Sequence, residues 1–395
     1  MKKYNFDEVI DRHGSGCTKI EDLRVLFGKE NLTPLWIADM DFRVCPEITA
    51  ALHERISHPI YGYSRPGDSY WTSITGWLSR RHGFKVSREE LTYVPGVVKG
   101  IAFALNFFTC KGDKVVIQPP VYHPFRILVE GNERVVVPNP LIPTDDGYRM
   151  DLEGLETIFA TEHPRMMILC NPHNPIGIQW SRETLAEVGR LARKYNVIVI
   201  SDEIHGDLML GGRSHYPFAD CGADAAAVAV TFGAPSKTFN IPGLVSSWCV
   251  IKNPELRKPF FNWLEVNEFN ATTFVSTIGA EAAYNNGEQW LAEVTEYLEE
   301  NIDTVERFLA SRIPDVRMVR PEASFLIWMD FRGLGLNHDE LVDLVVNHAG
   351  LALNDGKMFG PQGHGFMRVN IATPRAALLE ALGRLESALA KCRPS

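Results

Sequence analysis

The sequence predicts an α/β fold: a mainly parallel β-sheet covered by helices on both sides, with a second, smaller α/β lobe. Three observations predict it. Short β-rich runs alternate with runs of helical spacing from about residue 114 to about residue 251, the pattern of a parallel sheet joined by crossover helices. Asn174, Asp202 and Lys237 each follow a separate apolar strand candidate, where the ends of parallel strands gather ligands. Past about residue 285 the texture changes to one long amphipathic helix followed by shorter units.

In chain order, residues 1–48 are irregular, with Trp36-Ile-Ala-Asp-Met-Asp-Phe42 as their most apolar and acidic patch. Pro46 suits a first helical turn and opens a helix through Leu52. Tyr61-Gly-Tyr-Ser-Arg-Pro-Gly67 is loop chemistry, and 71–81 has helical spacing. Val94-Pro-Gly-Val-Val-Lys-Gly100 reads as a turn feeding the apolar run 101–108. Free amides at such a helix start suit an anion, although a plain glycine turn fits the same letters. The strand candidates are 114–118, 134–137, 165–169, 197–201, 227–232 and 247–251. Between them, 181–195 is the clearest helix, with Ser181 as N-cap and Leu185, Val188, Leu191 and Ala192 on one face.

Trp290, Leu291, Val294, Tyr297, Leu298, Ile302, Val305, Phe308 and Leu309 mark the long helix. A strand near 324–329 follows, then a helix from Asp339. The last helix starts at Thr373-Pro374 and turns Leu378, Leu382, Leu385 and Leu389 inward. The expected division is an N-terminal segment 1–48 joining the small domain, a large domain 49–284, and a small C-terminal domain 285–395.

Composition bounds the function. The chain has 395 residues, 45% of them apolar and 23% charged, enough for a globular protein with a sizeable core. Lys and Arg number 40 against 49 Asp and Glu, a formal charge of −9 with no basic run, which argues against a nucleic-acid surface. The seven cysteines, Cys17, Cys45, Cys110, Cys170, Cys221, Cys249 and Cys392, form no Cys-x-x-Cys and read as buried free thiols in a reducing compartment. Met-Lys-Lys-Tyr-Asn-Phe-Asp-Glu lacks the apolar centre of a signal peptide, and no apolar stretch approaches the roughly 20 residues that span a bilayer. The expectation is a cytoplasmic protein without membrane or nucleic-acid partners.

Lys237 lies in Gly233-Ala-Pro-Ser-Lys-Thr-Phe-Asn-Ile-Pro-Gly-Leu244, between the run 226–232 and a Pro/Gly turn. An amine fixed there can form a Schiff base with an aldehyde, whereas a solvated loop lysine is the plainer use. Asp202 could equally cap a strand end, and Asn174 could make an Asx turn in its Pro-rich loop. Asp202-Glu-Ile-His205 lacks the second histidine of a zinc helix, so no metal is expected.

The motifs narrow these readings. Asn171-Pro-His-Asn-Pro-Ile-Gly177, Ser201-Asp-Glu-Ile-His205, Ser236-Lys-Thr-Phe-Asn-Ile-Pro-Gly243 and Gly365-Phe-Met-Arg-Val-Asn-Ile-Ala372 stand in the order found in fold-type-I pyridoxal-phosphate enzymes. With Asp11-Arg-His-Gly14 and Ala38-Asp-Met-Asp-Phe42, the chain resembles the MalY/PatB branch of the class I/II aminotransferase superfamily, the cystathionine β-lyases or C–S lyases. The resemblance covers nearly the whole chain. It implies a seven-stranded, mainly parallel sheet and pyridoxal 5'-phosphate as cofactor.

By that resemblance, Lys237 holds the cofactor, releases it to the substrate amine and acts as base at Cα. Asp202 pairs with the pyridine nitrogen, so that the ring accepts electrons. Asn174 donates to the ring oxygen and touches the substrate carboxylate. His205 takes the slot where aminotransferases usually carry a tyrosine on that oxygen. Tyr122, in Pro119-Pro-Val-Tyr-His123, stacks on the ring. The phosphate would rest on the amides of Val97 and Val98, on Ser236, and on Tyr63 from a neighbouring subunit, which implies a homodimer with shared sites. Arg368 would clamp the substrate α-carboxylate beside Ala38. Asp39 and Asp41 would line this cleft or serve as structural caps.

Two positions depart from the pattern: Ala234 and Val245 stand where many relatives carry a phosphate-binding serine and arginine. Lys99 is the candidate for the missing charge. The reaction implied is β-elimination from cystathionine or other S-substituted cysteines, giving thiol, pyruvate and ammonia. An aminotransferase, or a PLP-loaded regulatory protein, are the alternatives.

Overall fold

The computed structural model describes residues 3–145 and 147–392, the side chain of Cys392 excepted. Its centre is a seven-stranded sheet in the order Leu91–Val94, Ser247–Val250, Ala229–Gly233, Ile198–Asp202, Met166–Cys170, Lys114–Ile117, Val135–Pro138. The last five are mutually parallel, while Ser247–Val250 runs antiparallel to both its neighbours. All six strand candidates therefore lie in one sheet. The seventh strand, Leu91–Val94, escaped sequence reading because all four residues are buried and show no alternation. One boundary is corrected: 227–232 is not all strand, since Ala223–Val228 is helical and the strand begins at Ala229. A run of alanines favours helix until β-branched residues take over.

The crossover helices follow their sequence signals. Arg182–Tyr195 is capped by Ser181, whose Oγ accepts from Thr184 N at 3.1 Å. Leu185, Val188, Leu191 and Ala192 are buried beneath it. Alternation along Ile198–Asp202 puts Ile198, Ile200 and Asp202 on one face. There the two isoleucines share a core with Val97, Ile101, Ala104 and Leu105 of the helix Val97–Phe108. Val199 packs into the core on the other face. Asp202 thus ends its strand on the side where that helix begins. The close approach depends on Gly100, where a Cβ would lie 2.6 Å from the Phe232 ring.

A second sheet, antiparallel throughout, has the order Arg317–Val319, Leu326–Asp330, Phe366–Asn370, Asn354–Asp355. Around it lie the 25-residue helix Glu288–Arg312, the short helix His338–Asp343 and the final helix Arg375–Cys392, with Leu378, Leu382, Leu385 and Leu389 buried. In the N-terminal segment, Thr33–Pro34 pairs in parallel with Leu351–Ala352, and Phe6 packs on Phe42 and Trp290. The helices Pro46–Ser57 and Asp68–His82 outrun their expected spans.

The thiol expectation is corrected in part. Cys45, Cys170, Cys221 and Cys249 are buried and free, but Cys17 is half-buried and Cys110 exposed, and the Cys392 side chain lies outside the described residues. Among the described residues, no helix is long and apolar enough to cross a membrane.

Candidate active site

At the carboxyl ends of the parallel strands lies a cavity of about 320 Å³. Ala38, Val97, Val98, Tyr122, Asn174, Asp202, His205, Ser236 and Lys237 all line it, as do Lys99 and Val245. Residues from six separate stretches of chain are thereby brought together. Arg368 stands just behind, joined to the lining through Asn174. Tyr63 does not reach the cavity of its own chain: it is fully exposed, on a loop bordering a different surface depression.

Lys237 sits in the single helical turn Pro235–Thr238 after the strand Ala229–Gly233. Its Nζ donates to the Ala38 carbonyl at 2.5 Å. Burial lowers its pKa to about 8, helped by the Arg368 charge and opposed by Asp39 and Asp202. A neutral amine is therefore within reach near neutral pH.

Asp202 is buried, accepts one hydrogen bond, from Ile204 N at 3.1 Å, and has no ion-pair partner among the described residues. Burial pushes its carboxyl up to about 7; Glu203 adds to the rise, while the Ile204 hydrogen bond and Lys237 oppose it. Arg368 is its counterpart in charge. One Nη donates to Asn174 Oδ1 at 3.1 Å, the other to Trp36 O at 2.9 Å and Asn354 Oδ1 at 2.5 Å. Its Nε–H is buried with no acceptor, and no carboxylate pairs with it among the described residues. A buried cation with a spare N–H fits an incoming carboxylate. A buried, unpaired carboxyl at a strand end fits a cationic ring nitrogen.

His205 is buried, with Nδ1 3.0 Å from Ser324 Oγ. Burial, with the Lys237 and Arg368 charges, lowers its pKa to about 3, so the ring is neutral and Nε2 is left for another partner. The helix Val97–Phe108 opens at Gly96, whose φ of 109° is a conformation open to glycine. The amides of Val97 and Val98 in that first turn have no acceptor inside the helix, and with the Ser236 hydroxyl they form a cradle for an anion. Tyr122 meets Phe125 edge-on and is half-buried, and the loss of solvent around it raises its phenol pKa.

Val245 occupies the left-handed region at φ 53°, and its carbonyl accepts from Tyr93 OH at 2.7 Å. It adds no charge to the cradle; of the cradle's neighbours, Lys99 carries one. The carboxylates of Asp39 and Asp41 pair with Arg12 and Lys19 outside the cavity lining, although the Asp39 charge still acts on Lys237.

Cys170, Ile204, Pro242, Ser246 and Ser247 also line the cavity, and Ser324 orients His205. Sequence reading missed all six. Ser247 reaches the cradle by pairing with Val94 at the sheet edge, and that pairing was invisible without the strand Leu91–Val94.

Comparison with known proteins bears on the same residues. The family model for "Aminotransferase class I and II" matches residues 30–385. Cystathionine beta-lyase PatB of Bacillus subtilis is 43% identical over 385 residues, 98% of this chain and 100% of that one. Protein MalY of Escherichia coli is 32% identical, covering 99% of this chain and 100% of that one. The solved structure of a PLP-bound C–S lyase from Staphylococcus hominis superimposes with a TM-score of 0.91 at 32% identity, covering 98% of each chain.

Proposed function

The chain belongs to the class I and II aminotransferase family, and from that premise we propose that it is a pyridoxal-phosphate-dependent C–S lyase acting on cystathionine or related S-substituted cysteines. The observation that carries this is the pair of complementary buried charges. Among the described residues Asp202 has no ion-pair cation and Arg368 no ion-pair anion, and both act on the charge of Lys237. A cationic ring nitrogen answers the first and an α-carboxylate the second.

The residues fit the cofactor, and each has a task. When bound, pyridoxal phosphate supplies an aldehyde that takes up the substrate amine and a ring that accepts the electrons freed at Cα. Asp202 would keep the ring nitrogen protonated, Asn174 and His205 would serve the ring oxygen, and Tyr122 would cover the ring, all of them lining the cavity. Val97, Val98 and Ser236 would hold the phosphate. Arg368 fixes the α-carboxylate, which orients the Cα–H toward Lys237. Lys237, neutral in part because its pKa is held near 8, takes the Cα proton and returns a proton to the departing sulfur. The C–S bond breaks as the Cα–Cβ double bond forms, and hydrolysis of the remaining enamine yields pyruvate and ammonia.

The distal half of the substrate would meet Ala38, Pro242 and Val245, and among the described residues the lining holds no arginine to select a side-chain carboxylate. Selection of the distal half is thus left to shape, and the thioether follows from the relative at 43% identity, a cystathionine beta-lyase by name. The test is incubation with cystathionine and no keto acid, with pyruvate and thiol as the expected products. Turnover that requires an added keto acid would replace the lyase with an aminotransferase. Bound cofactor without turnover would replace it with a regulatory protein.

The same reading includes a cytoplasmic homodimer in which the partner subunit's Tyr63 completes the phosphate site. Residues 1–48 and 285–395 form its small domain and 49–284 its cofactor-binding domain.

A further inference from the structure

A charge cluster in the N-terminal segment has no task in the mechanism above. Arg12 closes on Asp39 through two contacts, Nη2 to Oδ2 at 2.6 Å and Nη1 to Oδ1 at 3.2 Å, and reaches Asp41 Oδ1 at 2.8 Å. Lys19, almost wholly buried, lies 2.8 Å from Asp41 Oδ2 and 3.6 Å from Asp39 Oδ1. Two cations and two carboxylates cancel there, largely out of solvent.

The segment they brace is the one that touches Lys237. The Ala38 carbonyl accepts from Lys237 Nζ, and the flanking backbone is fastened by side chains from the site's own elements. Asn370 Nδ2 holds the Ile37 and Asp39 carbonyls at 2.7 and 2.6 Å, and Asn240 brackets Met40 and Phe42. The Asp39 carboxylate is different. Among the described residues it is held by Arg12 and Lys19, both outside the site.

We propose that Arg12 is a positioning residue for the reaction: by pinning and neutralising Asp39 it keeps the Ala38 carbonyl on Lys237 and sets how tightly that lysine holds its proton. The charged and titratable groups facing Lys237 are Asp39 from this segment, Asp202 from its strand, His205 from the following turn and Arg368 from the strand Phe366–Asn370. Of these, Asp39 is the one whose charge is balanced by the N-terminal segment. Loss of Arg12 leaves a carboxylate uncompensated beside the amine and favours its protonated form. Loss of Asp39 leaves Arg12 uncompensated and acts in the opposite direction.

The inference rests on Lys237 being the reactive amine, and the experiment keeps the two apart. Holoenzyme carrying Arg12→Gln, Arg12→Lys or Asp39→Asn is titrated with pH, following the visible absorbance of the bound cofactor, kcat/KM and the unfolding temperature. Borohydride reduction and peptide mapping identify the lysine that carries the cofactor. Arg12→Gln is expected to raise the absorbance midpoint and the alkaline-rising limb of kcat/KM by about half a pH unit or more. Asp39→Asn is expected to lower both, and Arg12→Lys to stay near wild type. A lowered unfolding temperature with unmoved midpoints would make Arg12 merely structural and overturn the proposal. If Arg12→Gln does not fold, Asp39→Asn must still move the midpoint further than Asp41→Asn, and equal shifts overturn it. Cofactor mapped to a lysine other than Lys237 overturns both readings; cofactor on Lys237 with unmoved midpoints overturns this one alone.

Discussion

Replacing Asp202 by asparagine should separate the stability of the cofactor-free chain from its hold on the cofactor. The carboxyl is buried, accepts one backbone N–H, and is raised to about 7, chiefly by burial. In an unfolded chain it would titrate near 3.9, roughly three units lower. Between those values the native state binds the extra proton, so stability falls as pH rises through that window. The cost is absent below about pH 4 and fully present above about pH 7. At about 1.4 kcal/mol per unit it reaches about 4 kcal/mol. Asparagine stays neutral and still offers an oxygen to Ile204 N, so the cofactor-free variant is expected to gain up to that amount at pH 8 and little at pH 4. With an unfolding entropy of about 2.1 cal/mol/K per residue over 395 residues, the gain corresponds to a midpoint about 5 °C higher. Scanning calorimetry of cofactor-free protein at the two pH values measures it. Added pyridoxal phosphate should reverse the ranking, because a cationic ring nitrogen pairs with a carboxylate and not with an amide. A variant no more stable than wild type at pH 8, or a gap equal at both pH values, would refute the reasoning.

Other outcomes follow from the same geometry. Gly100→Ala places a methyl 2.6 Å from the Phe232 ring and must displace the start of the helix Val97–Phe108. A loss of about 1–3 kcal/mol in stability and faster cofactor dissociation are expected, read by thermal unfolding and absorbance. Arg368→Lys keeps the charge but loses the fork that spans Asn174, Asn354 and Trp36. KM should rise by about tenfold or more while the cofactor spectrum is retained, corresponding to about 1.4 kcal/mol or more of lost substrate binding. Mixing refolded Lys237→Ala with Tyr63→Ala tests the shared site. Hybrid dimers carry one intact site, so roughly a quarter of wild-type activity should return if the tyrosine acts across the interface, and none if it acts within its own chain.

The strands that alternate with helices were legible because burial on both faces leaves continuous β-branched runs, as in Val197-Ile-Val-Ile-Ser201. The Ser181 cap and the leucine stripe of the last helix were legible because they depend on neighbours within a turn or two. Leu91–Val94 was not: four residues carry too little periodicity to declare a strand, and the antiparallel partner that defines it lies at Ser247–Val250. The run of alanines before Ala229 misled for the complementary reason, since its helical propensity is local while the strand beyond it is set by the sheet.

At the site the same division holds. The sequence by itself determined which residue types stand at which strand ends, and so which amine, carboxyl and guanidinium were available. The motifs around them were enough to expect a vitamin B6 enzyme only through their resemblance to a known family. Only the tertiary structure decided that the Ala38 carbonyl meets Lys237 across 199 positions, and that Arg368 reaches Asn174 across 194. It likewise closed Asp39 and Asp41 on Arg12 and Lys19, far earlier in the chain. Local order sets propensity and chemistry, but desolvation and pairing depend on which distant segments pack together, and those terms set the charge state of every group in this site.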